Sequence, residues 1–305
     1  MTQLRLGTRG SALARWQAQW VAARLAEHAV DVELVPITTR GDAAQHEPIT
    51  AATEPGVFTK ELQRALLDDR IDLAVHSLKD LPTLVVDGLI LSAVPQREDP
   101  RDVLVSQAGT LADLPPGAVI GTGSLRRQAQ LLHVRRDLVM RDIRGNVDTR
   151  LSKLADGGYH GLVLALAGLK RLQLDGRVTQ VFERDTMLPA AGQGALGLET
   201  RADDHATRAS LAVLDHASTH QAVLAERTVL AALNAGCSAP VGAWGEVRSD
   251  GQLWLEAAVL SLDGVRRIAS IASAPSQDAQ RLGERVAAQL EAEGAKSLID
   301  AARQA

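Results

Sequence analysis

The chain has 305 residues, 46% of them apolar, and a formal net charge of −4. No apolar run approaches the roughly 20 residues that span a bilayer, and the acidic balance excludes attraction to nucleic acid through the overall field. A single cysteine, Cys237, excludes an internal disulfide and a cysteine-rich metal site.

This length predicts two or three compact units. Met1–Leu6 lacks the basic-then-apolar pattern of a signal peptide and reads as the start of a strand, so a cytoplasmic location is expected. Of 33 basic residues, 28 are Arg and 5 are Lys. High genomic GC content alone favours Arg codons, so position must decide which of them matter. Where position does select an Arg, its planar fork suits bidentate binding of carboxylate or phosphate.

The first hundred residues alternate strand and helix. Leu4–Thr8 is predicted as a strand, Ser11–His28 as a helix capped by Ser11, and Val32–Thr38 as a second strand. Thr39–Gly56 is polar and punctuated by Pro and Gly, which predicts a long loop. Phe58–Asp69 is predicted helical, with Leu73–His76 and Leu89–Val94 as further strands. That alternation implies a parallel-type sheet flanked by helices.

A second α/β unit is predicted from near Asp102. Val103–Ser106, Val119–Gly121, Leu138–Ile143 and Gly161–Leu166 read as strands, and Ser124–Arg136 and Val147–Asp156 as helices. Pro189–Gly194 is the candidate return crossing, its small residues suiting a hinge or a close backbone approach. From about Ser218 the texture changes. A helix over His220–Leu233 leads into the Asn234–Cys237 loop. Three alternating strands follow (Val241–Val247, Leu253–Val259, Arg267–Ala272), with Asp-Gly turn signals between them. Helices Asp278–Leu290 and Lys296–Ala302 close a small α+β domain.

Polar residues concentrate where strands give way to helices. Arg9 and Ser11 follow the first strand, and Lys79-Asp80 follow the Leu73 strand. Ser124, Arg126 and Arg127 follow the Val119 strand, and Arg144 and Arg150 the Leu138 strand. In open α/β sheets anions bind at such carboxyl ends, near helix N-termini. The five arginines there could grip a polyanionic ligand. Asp80, a turn or cap aspartate by its neighbours, could equally stabilise a transient cation or move protons. Cys237, in a Gly-Cys loop, is either a small buried hydrophobe or a point of covalent attachment. No metal is expected.

Taken in order, Gly7–Ala14, Val75–Pro82, Arg97–Asp102, Gly121–Arg127, Arg144–Arg150, Ala167–Arg171, Gln193-Gly194 and Gly236-Cys237 resemble the porphobilinogen deaminase family along the whole chain. The resemblance implies an α/β protein of three domains. Two are periplasmic-binding-protein-like α/β lobes with a cleft between them, residues 1–96 with 195–214 and residues 100–190. The third is a small α+β C-terminal domain, residues 217–305. It implies a dipyrromethane cofactor joined to Cys237 by a thioether and contacted by Gln17, Lys79, Ser124, Arg126, Arg127, Arg144 and Arg150. Asp80 is the implied catalytic carboxylate. Arg9, Ser11, Arg144, Arg150 and Arg171 are the implied binders of the substrate porphobilinogen. A monomer with no nucleic-acid or membrane partner is expected.

Two departures from the family pattern stand out. Residues 51–56 hold no lysine where many members carry one or two, although Lys60 lies in the following helix. Gly123 stands where serine is commoner. A non-enzymatic two-lobed anion-binding protein is the alternative reading, although it leaves Cys237 and the third domain without a role. A regulatory effector-binding domain is a remoter one, since no DNA-binding helix pair or basic face accompanies it.

Overall fold

The computed structural model describes residues 3–38, 59–236 and 239–304, so the predicted 39–56 loop, Phe58 and Cys237 lie outside the described residues. The chain runs β1 (Leu4–Thr8), α1 (Ala12–Ala26), β2 (Val32–Pro36), α2 (Lys60–Leu67), β3 (Leu73–Ser77), β4 (Leu89–Ala93), β5 (Asp102–Ser106), β6 (Val119–Gly121) and α3 (Leu125–Val134). It continues through β7 (Val139–Arg141), α4 (Val147–Ala155), β8 (Gly161–Ala165), α5 (Leu166–Arg171), β9 (Gln180–Val181), β10 (Leu196–Arg201) and α6 (His205–Leu211). It ends with α7 (Ala217–Ala232), β11 (Val241–Val247), β12 (Gln252–Leu260), β13 (Arg267–Pro275), α8 (Ala279–Ala292) and α9 (Ala295–Gln304). Two compact units result. One comprises Met1–Glu98 with Ala195–His220, the other Asp99–Gly194 with Gln221–Ala305.

The first unit is built on a five-stranded sheet in the order β2-β1-β3-β10-β4. Leu4 and Leu6 of β1, Leu73 and Val75 of β3, and Leu198 of β10 share one face with Ala18, Val21 and Leu25 of α1. The opposite face packs Ala74 of β3 against Leu62, Ala65 and Leu66 of α2. Apolar residues thus fall at both parities of β3, the pattern of a strand covered on both sides. Each fully buried Leu contributes about 1.5–3 kcal/mol.

The expected parallel sheet is corrected here. β1 is parallel to β2 and β3, but β10 runs antiparallel to both β3 and β4. Local alternation fixes the sense of the first three strands. β10 arrives from far along the chain, by a connection that no strand-helix-strand rule governs.

The second unit carries two sheets. One has the order β7-β6-β8-β5-β9. There β6 is parallel to β7 and β8, while β5 is antiparallel to β8 and β9. Its faces are closed by Leu131 of α3 on one side and by Leu151 and Leu154 of α4 on the other. The remaining sheet, β11-β12-β13, is wholly antiparallel and packs Leu253, Leu255 and Val259 against α7, α8 and α9, making the small C-terminal α+β domain. Its outer face meets α3 through Ala258 and Leu260 packed on Ala129. At the β12–β13 turn Gly264, at φ 71°, lies so close to α3 that an added Cβ would fall 2.8 Å from the Ala129 carbonyl.

Candidate functional site

Strand order decides which predicted residues become neighbours. In the first unit β1 and β3 are adjacent and parallel. Their carboxyl ends therefore deliver Arg9 and Ser11 beside the 3-10 turn Leu78–Asp80. Ser11 caps α1, its hydroxyl accepting from the Ala14 amide at 3.3 Å. Gln17, buried on α1, donates to the Ser77 hydroxyl at 2.8 Å, tying the helix to the strand end that presents Lys79 and Asp80. Beneath this turn the Leu78 amide donates to the Ala195 carbonyl at 3.0 Å. Asp80 is exposed, and among the described residues no side chain pairs with its carboxylate.

His76, which heads the predicted polar run His76–Asp80, belongs to a buried polar set whose other members, Glu199 and Gln63, the sequence reading does not single out. His76 and Glu199 are each 4% exposed, and His76 Nε2 meets Glu199 Oε2 at 3.0 Å. Gln63 donates to the other Glu199 oxygen at 2.9 Å. The β3–β10 register places Gly197 opposite His76, which sets Glu199 on the same face one step along.

In the second unit the parallel strands β7, β6 and β8 bring a further set to one edge: Ser124 after β6, Arg144 and Arg150 after β7, and Arg171 at the end of α5, which follows β8. Ser124 caps α3 by accepting from the Arg127 amide at 3.5 Å. Arg144 is exposed and donates through Nε to Asp142 at 2.7 Å. Arg150 donates to the Gly145 carbonyl at 2.8 Å. Arg171 is buried and donates to the Gly194 carbonyl at 2.6 Å. The Gly123 departure has a local counterpart, because a Cβ there would lie 2.8 Å from Asp142 Oδ1.

Arg126 and Arg127 are the least expected of the set. They sit at 4% and 6% exposure around Asp102, which is wholly buried. Arg126 Nη1 donates to Asp102 Oδ2 and to the Leu188 carbonyl, both at 2.6 Å. Arg127 donates to Asp102 Oδ1 through Nε at 3.0 Å and Nη2 at 2.8 Å, and to the Val163 carbonyl through Nη1 at 2.9 Å. Gln193, itself buried, adds a bond to Asp102 Oδ1 at 2.9 Å and another to the Pro100 carbonyl at 2.7 Å.

Burial alone would raise the Asp102 carboxyl. The two guanidinium charges, with hydrogen bonds from Arg126 and Gln193, outweigh it and hold that carboxyl well below the usual carboxylate range. Burial holds Arg126 below the ordinary guanidinium value, with Asp102 opposing and Arg127 assisting. An arginine side chain is not deprotonated in proteins.

Two cations therefore share one acid. Among the described residues no second carboxylate reaches either of them, and the Nε–Nη2 edge of Arg126 has no protein acceptor. An Nε–Nη2 edge is the fork that takes a carboxylate bidentately. The donor chemistry fits a group bearing carboxylates. Neither Asp102 nor Gln193 was assigned a role from sequence. The one available signal was an acid at the head of an otherwise apolar strand, since such a residue is almost never buried unless paired.

Among the described residues no helix is long and apolar enough to cross a membrane, and no group of three or more His, Cys, Asp or Glu could hold a metal ion. Fold and site together define a multi-lobed α/β protein with arginines gathered at its strand ends. Residues 4–209 match the porphobilinogen deaminase dipyromethane cofactor binding domain, and residues 220–292 match the porphobilinogen deaminase C-terminal domain. The chain belongs to the porphobilinogen deaminase family, whose cofactor is dipyrromethane.

Solved structures similar to this chain include the methionine binding protein MetQ. It is 13% identical over 72% of this chain and 90% of that one, with a TM-score of 0.44. A nutrient binding protein from Burkholderia cenocepacia bound to methionine is 12% identical over 68% of this chain and 89% of that one, with a TM-score of 0.42.

Proposed function

We propose that this chain is a hydroxymethylbilane-forming transferase. In this reading it condenses four porphobilinogen molecules, with loss of ammonia, onto a dipyrromethane primer held by Cys237, and then releases the linear tetrapyrrole by hydrolysis. The observation that carries the reading is the buried Arg126–Arg127 pair with its single acid, at the end of β6 inside the cofactor-binding domain. A ligand whose every pyrrole bears two carboxylates is the chemical complement of that pair. When bound, the dipyrromethane supplies the free pyrrole α-carbon on which the chain grows.

The chain's own residues divide the remaining work. Gln17, Lys79, Ser124, Arg126, Arg127, Arg144 and Arg150 would hold the primer. Arg9, Ser11, Arg144, Arg150 and Arg171 would hold the acetate and propionate groups of the incoming substrate. Asp80, exposed at the end of its 3-10 turn, would stabilise the cationic pyrrole left when ammonia departs and take up a proton. A unit charge pair at about 4 Å and an effective dielectric near 20 contributes roughly 4 kcal/mol. Felt only in the transition state, that is about three decades of rate. The reading includes the division into 1–96 with 195–214, 100–190 and 217–305, and a cytoplasmic monomer.

The test is the intact mass of the purified protein beside a Cys237→Ser variant. A mass excess of two pyrrole units on the wild type alone is the expected result. If the wild type is unmodified, incubation with porphobilinogen should load it. A folded protein that stays unmodified after that incubation is an anion-binding protein and overturns the proposal.

A further inference from the structure

Four hydrogen bonds converge on the Asp102 carboxylate, from Arg126 Nη1, Arg127 Nε, Arg127 Nη2 and Gln193 Nε2. The two oxygens are shared unequally. Oδ2 takes Arg126 alone, and Oδ1 takes Arg127 twice together with Gln193. Both Arg126 Nη1 bonds are spent on protein, to Asp102 and to the Leu188 carbonyl. This locks the guanidinium plane and turns one fixed edge, Nε–Nη2, away from its protein partners. Gln130 reinforces the lock, since its Nε2 donates to the same Leu188 carbonyl at 3.0 Å and its Oε1 accepts the Leu188 amide at 2.8 Å.

Charge follows the same logic. One acid between two guanidiniums leaves the buried cluster with a single net positive charge. Without Asp102 it would carry two, on residues only 4% and 6% exposed. A neutral cluster would offer an anion little, and a doubly charged one would be costly to bury before any ligand arrived.

We infer that Asp102 is the positioning residue for the carboxylate site of the cofactor: it orients the Nε–Nη2 edge of Arg126 and sets the residual charge that receives a dipyrromethane carboxylate. The inference rests on the proposed cofactor chemistry and assigns Asp102 no contact with the reacting atoms. Gln193 is its second support, because it joins Asp102 to the Pro100 carbonyl.

The experiment uses apo-protein of the full chain incubated with porphobilinogen, with cofactor loading followed by intact mass and folding followed by thermal unfolding. Asp102→Glu keeps the charge and moves the carboxylate by one carbon-carbon bond. A misplacement of about an ångström costs on the order of 100-fold, so loading per folded molecule should slow by about that factor. Gln193→Met leaves the charge untouched and removes one hydrogen bond to a charged group. It should load about tenfold more slowly and keeps the inference testable if Asp102→Glu does not fold.

A second readout separates positioning from mere structural support. Inorganic sulfate should raise the melting temperature of the wild-type apo-protein, and this rise should be lost in Asp102→Glu. A purely structural Asp102 would lower the baseline melting temperature and leave the rise intact. Loading at the wild-type rate in either folded variant overturns the inference while leaving the cofactor reading in place. A wild type that never loads overturns both.

Discussion

Glu226 offers the sharpest test of how the second unit is held together. Its side chain on α7 is wholly buried. Oε2 accepts the Gly192 amide and Oε1 accepts the Gly245 amide of β11, both at 2.7 Å. Each bond to a charged acceptor contributes about 1.5–3 kcal/mol. In Glu226→Gln one oxygen becomes an amide nitrogen facing a backbone N–H. One bond is lost, and a buried donor is left unsatisfied at a further cost of about 1–3 kcal/mol. A loss of roughly 4 kcal/mol follows. A chain of 305 residues unfolds with an entropy of roughly 0.6 kcal/mol/K, so the melting temperature should fall by about 6 °C if the chain unfolds as one. Differential scanning calorimetry of Glu226→Gln beside the exposed control Glu284→Gln measures this directly. Two melting temperatures within about a degree of each other would show that the Glu226 bonds carry no such weight and would refute the argument.

Asp80→Glu should retain the cofactor mass yet turn over roughly 100-fold more slowly, because a carboxylate displaced by a methylene no longer faces the developing cation; wild-type turnover would remove the geometric requirement at Asp80. Asp142→Asn should lower the KM for porphobilinogen by up to about fivefold at low salt. It frees Arg144 from an exposed ion pair at 2.7 Å that contributes only about 0.2–1 kcal/mol, and an unchanged KM would show that Arg144 does not meet substrate. Acid should destabilise the fold. The Asp102 carboxyl is held below its ordinary 3.8 in the folded protein, against the pull of its burial, so the unfolded state binds the extra proton as pH falls. Stability present above about pH 4 is therefore lost on acidification, and urea midpoints should fall less steeply with pH in Asp102→Asn than in wild type.

What could be read from sequence was what neighbours along the chain determine. The span Leu4–Thr8, the Ser11 cap and the span Val241–Val247 coincide with the folded elements, because alternation and capping are decided within a few residues. The short strand β9, the strand β10 and the helix α6 escaped notice. β10 acquires its identity by pairing with His76 and Leu91, more than a hundred residues earlier, and strand formation follows packing context more than local propensity. The site divides in the same way. Arg9, Ser124 and Arg144 were visible as strand-end residues. The role of Asp102 was not, because its partners lie 24, 25 and 91 residues away, and its one local signal, an acid at the head of an apolar strand, names none of them.

The number of arginines could never separate ligand-facing from structural ones; in the proposed reading the number of acids around each one does. Arg201 pairs with Asp69, Asp72 and Asp204, and Arg5 with Asp69 and Asp72. These cations are saturated. Among the described residues Arg126 and Arg127 share one acid, and that deficit sits on residues only 4% and 6% exposed. Arg144 is also singly paired, but its side chain is 45% exposed, and an exposed charge is screened over about 10 Å at moderate salt. The two kinds of cation must therefore answer salt differently. Added salt weakens whatever Arg144 holds and barely touches what the buried pair holds. In the proposed reading, a protein with a net charge of −4 keeps a carboxylate-rich ligand bound at physiological ionic strength because the attraction that matters comes from a cluster in which, among the described residues, one acid serves two cations.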